Sequence, residues 1–249
     1  MLRRLLDVRS RPTGPEPPGV PDSSTVEDRG IVDQASKYSM TGPIRLQALI
    51  DAVRYCERRG IPGAFAECGV WRGGSVLAMI LTLQELGAQR DLYLFDTFEG
   101  MTEPTEFDTS SLSRPALEEW AAAKADGETP WAGVFGPDAF SEETVRETLL
   151  STGYPEERVH ITRGPVEETI PVAAPVTLAL LRLDTDWYES TRHELDHLYP
   201  RLQSGGVLLI DDYGHWDGAR RAVDEYFESS APPLLLNRID YTGRVAVKH

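Results

Sequence analysis

Ala64-Phe65-Ala66-Glu67-Cys68-Gly69-Val70-Trp71-Arg72-Gly73-Gly74-Ser75 is the stretch on which the fold turns. A short, mostly apolar run enters a Gly-rich turn, and a helical pattern from Val76 to Leu86 follows at once. Strand, turn and helix in that order make the repeating unit of a parallel sheet. A turn of this kind lets the backbone approach a ligand closely and presents free N–H groups at a helix N-terminus, so a nucleotide-like ligand is expected there. The spacing is not G-x-G-x-x-G, and the turn lacks the Lys of a phosphate loop, so neither dinucleotide nor triphosphate binding is indicated.

Working outward, further strands are expected at Leu92 to Phe95, Val159 to Thr162, Val176 to Leu183, Gly206 to Ile210, Leu234 to Ile239 and Arg244 to Val247. Helix-length stretches separate most of them. From Ile44 to Arg59 apolar residues recur with helical period until Gly60 and Pro62 stop it. The expected fold is α/β and Rossmann-like: a seven-stranded, mostly parallel sheet with helices on both faces. Only Asp240-Tyr241-Thr242-Gly243 joins the last two strands, too little for a parallel crossover, so they should form an antiparallel hairpin at one edge. That ending separates a methyltransferase sheet from a dinucleotide dehydrogenase sheet.

The chain has 249 residues, 41% of them hydrophobic, enough for one buried domain and short for two. Residues 31–249 are expected to form that domain behind a flexible arm, 1–30, whose Pro, Gly, Ser and charge (RPTGPEPPGVPDSSTVED) cannot offset the entropy of ordering. The interval 103–141 is too long for a plain connection. With Trp120, Trp131, Phe135 and Phe140 it reads as a lid and substrate wall, the plain alternative being a surface helical insertion. A net charge of -15 argues against nucleic acid and anionic membranes as partners. Cys56 and Cys68 suit reduced core thiols. The basic N-terminus lacks an apolar stretch of signal-peptide length, and no segment approaches the roughly 20 apolar residues of a membrane span, so a cytoplasmic location is expected.

Acidic residues end the strands. Asp96 closes the second, where it would accept hydrogen bonds from ribose hydroxyls, and Glu67 at the first would face the amino group of a methionine moiety. The plain alternative is that both cap the following turns. Asp184-Thr185-Asp186 ends the fourth strand and Asp211-Asp212 the fifth, neighbours in a doubly wound sheet. Converging carboxylates repel one another, and a hard divalent cation relieves this. Asp184, Asp211 and Asp212 are therefore expected to hold Mg²⁺, and Asp186 to act as base on a hydroxyl beside it. Alternatively, the Asp211-Asp212 pair merely caps the next helix.

His193-Glu194-Leu195-Asp196-His197 is a literal H-E-x-x-H, the zinc peptidase signature. Against that reading, Pro200 soon ends the helix and no G-x-x-H follows. Glu225, a possible third ligand, lies beyond another strand. An ordinary crossover helix is the better expectation.

Glu67-Cys68-Gly69-Val70-Trp71-Arg72-Gly73-Gly74, Phe95-Asp96-Thr97-Phe98-Glu99-Gly100, Leu181-Arg182-Leu183-Asp184-Thr185-Asp186-Trp187-Tyr188 and Gly205-Gly206-Val207-Leu208-Leu209-Ile210-Asp211-Asp212-Tyr213 together resemble the TylF/MycF family of O-methyltransferases, over roughly Lys37 to His249. The resemblance implies S-adenosylmethionine, Mg²⁺, a homo-oligomer and a glycosylated small-molecule acceptor carrying a deoxysugar. It places Glu67, Gly69, Asp96 and Asp184 at the cofactor, with the turn residues Val70, Trp71, Arg72, Gly73 and Ser75, and Thr97 and Phe98 after Asp96. Tyr38 and Met40 match the segment that closes over the cofactor, and Gly164 and Val166 the turn beside adenine. Thr185 and Trp187 stand where relatives carry Gly and a smaller residue. No Lys occurs between Thr185 and Tyr188, so a carboxylate base is expected rather than the Lys of catechol-type enzymes. Methylation of a phenolic hydroxyl, zinc proteolysis and a non-catalytic adenosine-binding module are the alternatives.

Overall fold

The computed structural model describes residues 24–131 and 141–249. Its strands are β1 (Ala64–Cys68), β2 (Leu92–Asp96), β3 (Val159–Arg163), β4 (Leu178–Leu183), β5 (Leu202–Ile210), β6 (Asn237–Arg238) and β7 (Arg244–Val247), in the spatial order β3-β2-β1-β4-β5-β7-β6. The first five run parallel, and β7 pairs antiparallel with both β5 and β6. The order reverses between β1 and β4, where such sheets open a crevice for ligands.

The helices are α1 (Val26–Ala35), α2 (Pro43–Arg59), α3 (Gly74–Glu85), α4 (Ala116–Ala125), α5 (Glu142–Leu150), α6 (Val166–Thr169), α7 (Tyr188–Leu198) and α8 (Asp217–Ser229). Side chains alternate across the sheet. Phe65, Leu92, Leu94 and Leu209 pack under α1, α2, α3 and α5, whereas Ala66, Cys68, Leu181 and Leu208 pack under α7 and α8. β1 and β4 are buried along their whole length, as central strands covered on both faces must be. Pro43 at its start and Gly60, left-handed at φ 59°, at its end bound α2. Both cysteines are buried and unpaired. Among the described residues no helix is long and apolar enough to cross a membrane.

Two expectations need correction. Helix α1 begins inside the stretch read as a flexible arm, because Thr25 and Asp28 form a capping box and Ile31, Val32 and Ala35 are buried; residues 1–23 lie outside the described part. The penultimate strand is only Asn237–Arg238, since the apolar run before it finds no ladder and Leu235 is exposed. Within the interval 103–141, read as a lid and substrate wall, residues 103–131 contain α4 and bring Leu112, Ser113, Glu119 and Trp131 to the cleft, while Phe135 and Phe140 fall outside the described residues.

Candidate active site

Backbone bonds carry the ladder past the strand ends. Asp184 N–H donates to the Cys68 carbonyl and Asp211 N–H to that of Leu183, each at 2.9 Å, so the acid-bearing loops leave the sheet in register. A cleft of ≈ 530 Å³ opens above them. On the β1–β3 side it is built from backbone. Val70 and Trp71 N–H groups donate to Asp96 Oδ2 (2.7 and 2.8 Å), and Phe98 N–H donates to Oδ1 (2.7 Å). Asp96 thus organises the turn, as the plain alternative held, although a carboxylate has acceptor sites to spare. Burial raises its pKa against those bonds. Gly69 has φ +81°, and a Cβ there would run into the Asp184 carbonyl.

Tyr38, Met40, Glu67, Gly69, Val70, Trp71, Ser75, Asp96, Thr97, Gly164, Val166 and Asp184 line the cleft. Arg72, Gly73 and Phe98 do not. The Arg72 guanidinium lies over the Tyr38 and Trp71 rings, Gly73 faces Val145 and Leu149, and Phe98 is buried.

The β4–β5 side is built from charged side chains. Asp184, Asp211 and Asp212 each bring a carboxylate oxygen within 4.8 Å of the others. Beneath them Arg182 is almost wholly buried. Its Nη1 donates to Glu67 and to Asp184 (2.7 Å), its Nη2 to Asp211 (2.7 Å) and to Thr41 Oγ1 (2.8 Å). Arg45 pairs with Asp211 and, at 3.1 Å, with Asp240. The cleft lining holds two guanidiniums, those of Arg45 and Arg182, against eight carboxylates, those of Glu67, Asp96, Glu119, Glu167, Asp184, Asp186, Asp211 and Asp212. Burial pushes the Glu67 pKa up to about 7 although Arg182 opposes it, and Glu67 Oε2 is buried with no partner. Burial and mutual repulsion likewise raise Asp186 and Asp212. Asp186 adopts φ +68°, and its Oδ1 accepts the Trp216 Nε1–H at 2.7 Å.

The family model for macrocin O-methyltransferases (TylF) matches residues 25–248. The chain belongs to the TylF family of O-methyltransferases. As a TylF-family member it is an S-adenosylmethionine-dependent O-methyltransferase. It is 32% identical over 203 residues (81% of this chain, 72% of the relative) to the demethyldecarbamoylnovobiocin O-methyltransferase of Streptomyces niveus. It is 33% identical over 207 residues (83% and 76%) to the mycinamicin III 3''-O-methyltransferase of Micromonospora griseorubida. The solved O-methyltransferase NovP is similar at a TM-score of 0.71, with 30% identity over 85% of this chain and 82% of its own. The calicheamicin methyltransferase CalS11 shares the fold at 0.62 and 19% identity over 90% and 93%.

In this TylF-family chain the H-E-x-x-H lies on α7, the crossover between β4 and β5. His193 Nε2 sits 2.9 Å from the Ile170 carbonyl, and Glu194 is fully buried, accepting from Thr185 Oγ1 at 2.9 Å. Glu225 is held by Tyr188 and Arg221. Among the described residues the one acidic or His/Cys group placed to hold a metal is the aspartate trio, which removes the zinc peptidase reading. Arg182, Arg45 and Asp108 went unread in the sequence. A lone Arg within Leu178–Leu183 was the available signal for the first; such a residue is buried only with partners. Asp108, fully buried, accepts from Thr105 N–H (2.6 Å), Thr105 Oγ1 (2.9 Å) and Tyr188 N–H (2.7 Å), tying the insertion to the start of α7.

Proposed function

We propose that this enzyme moves a methyl group from S-adenosylmethionine to a hydroxyl on the deoxysugar of a glycosylated natural product, with Mg²⁺ held by Asp184, Asp211 and Asp212. The observation that carries the metal is the convergence of three carboxylates within 4.8 Å in a cleft whose acids outnumber its arginines. Their oxygens are hard donors of the kind Mg²⁺ takes, and two or three leave positions for water and substrate. For the acceptor, support comes from the relatives, named for novobiocin-type and mycinamicin substrates. A homo-oligomer belongs to the same reading and is checked by light scattering.

The Gly69–Ser75 turn, Asp96, Tyr38, Met40, Gly164 and Val166 would enclose the cofactor, and the unpartnered Glu67 Oε2 suits its ammonium group. S-Adenosylmethionine supplies an electrophilic methyl, and a divalent cation supplies Lewis acidity that eases loss of the hydroxyl proton. Asp186 takes that proton at its carboxylate, which the Trp216 N–H holds in place. Arg182 keeps Glu67, Asp184 and Asp211 in fixed relation, which would orient the residues that hold cofactor and acceptor. Trp187, with Trp131 and the other lining residues of 103–131, would exclude water from the reacting end.

Assay of S-adenosylhomocysteine release over a panel of glycosylated metabolites tests this. Asp211→Asn should abolish turnover while calorimetry still finds S-adenosylhomocysteine binding, and chelation should reproduce the loss. Full activity in EDTA overturns the metal assignment.

A further inference from the structure

Beside the acids the cleft is lined by tryptophan. Trp131, Trp187 and Trp216 stand in a row, with centroids 5.6 Å apart for the first pair and 5.0 Å for the second. They form a separate apolar cluster with Met101, Ala116 and Ala219, away from the two sheet cores, and all three residues border the cleft. What they withhold is as informative as what they offer. Each indole N–H is already spent: Trp131 on Glu119 Oε2 (2.8 Å), Trp187 on the Thr102 carbonyl (2.9 Å) and Trp216 on Asp186 Oδ1 (2.7 Å). Trp187 and Trp216 are buried, so they back the wall, and the half-buried Trp131 is the member that offers a ring face and edge to a ligand. Trp131 is held at φ +55°, a backbone strain that a side chain without a defined place would relax.

Resting on the acceptor reading above, we infer that this row is the specificity wall of the acceptor site. It takes the apolar face that the acceptor carries beside its reacting hydroxyl, with Trp131, the half-buried member, as the specificity-determining residue. Carboxylates bind a hydroxyl, and an indole face beside them attracts polarised C–H groups or a planar ring. A hydroxyl pressed against this wall would lose its water and find no partner. The wall therefore rejects a fully hydroxylated sugar in favour of one bearing C–H there. The apolar face has two sources, the C–H side of the sugar or a flat aglycone, and the test separates them.

The protein is loaded with S-adenosylhomocysteine and Mg²⁺ and titrated, with saturation-transfer NMR, against methyl α-L-rhamnoside, methyl α-L-mannoside and phenyl α-L-rhamnoside. The first two differ only by a methyl in place of a hydroxymethyl. Rhamnoside binding about tenfold tighter than mannoside binding assigns the wall to the sugar face, on the scale that apolar pockets discriminate a hydroxyl. A gain confined to the phenyl glycoside assigns it to the aglycone. In either case Trp131→Ala should erase the preference and Trp131→Phe retain it, because the N–H takes no part. Should Trp131→Ala fail to fold, Trp131→Gln, which keeps bulk but removes the aromatic face, takes its place and should erase the preference. Equal binding of all three glycosides, a preference that survives Trp131→Ala, or one that Trp131→Phe destroys overturns the inference. Failure of S-adenosylhomocysteine itself to bind strikes the methyltransfer reading instead.

Discussion

The two sides of the cleft are made of different materials. On the β1–β3 side the chain satisfies itself: Asp96 receives three backbone N–H groups, and glycine conformations shape the turn. On the β4–β5 side, side chains carry a surplus of negative charge that Arg45 and Arg182 only partly offset. A backbone-built pocket is shaped before its ligand arrives, whereas a charge-built one gains most when a cation completes it. One residue belongs to both. Arg182 reaches Glu67 on one side and Asp184 and Asp211 on the other.

Removing that link should give the largest effect. Arg182→Met leaves three buried or half-buried carboxylates without their shared cation, and loss of one partner from a buried ionic group costs about 3–5 kcal/mol. Urea unfolding should register a loss of that order, and adding Glu67→Gln should restore part of it. A loss below about 1 kcal/mol would mean that the sides do not depend on a common bridge.

A smaller break lies where the sides touch. Gly69→Ala forces a left-handed residue to carry a Cβ, about 1 kcal/mol in itself, and drives that Cβ against the Asp184 carbonyl. The expected outcome is a total loss of about 2–3 kcal/mol and at least tenfold weaker S-adenosylhomocysteine binding by calorimetry. Unchanged cofactor affinity would show that the turn is not the cofactor's cradle.

The contrast in materials also explains what the sequence discloses. Local patterns announce local structure: β1 and β7 fall within the expected bounds, α2 starts one residue early, and the short link between β6 and β7 correctly signals an antiparallel ending. The acid trio was legible because strand order follows from the alternation of strands and helices. Arg45 was not, since it reaches Asp211 from α2 across 166 residues of chain, a pairing that no local pattern encodes. Asp96 reads in the sequence as a ribose contact or a turn cap, and its bonds to Val70, Trp71 and Phe98 are visible only once the turn is closed. Helix α1 was lost because composition judges a window, and the Pro-rich leader hid a capping box of two residues.

That helix supplies the smallest and most one-sided test. Through Ser36–Tyr38 it leads to the segment lying on Gly74, where a Cβ would meet Ser39 and Tyr38, so it braces that side of the cleft most directly. Thr25 Oγ1 accepts the Asp28 N–H, and Asp28 accepts from Thr25 N–H and Arg54. Burial works against Asp28 ionising, yet these partners outweigh it and hold its pKa below the usual value. A folded pKa below the unfolded one, near 3.9, gives stability that is complete above about pH 4 and fades as pH falls through the folded value. Thr25→Ala should cost about 1 kcal/mol at neutral pH, and the penalty of Asp28→Asn should shrink under acid, where wild-type Asp28 becomes protonated as well. Both substitutions should loosen S-adenosylhomocysteine binding slightly and leave Mg²⁺ affinity unchanged in isothermal titration. An Asp28→Asn penalty that stays constant down to pH 3 would place the cap in the Thr25 hydroxyl alone. A fall in Mg²⁺ affinity would mean that α1 braces both sides of the cleft and that the division between them is less complete than their construction implies.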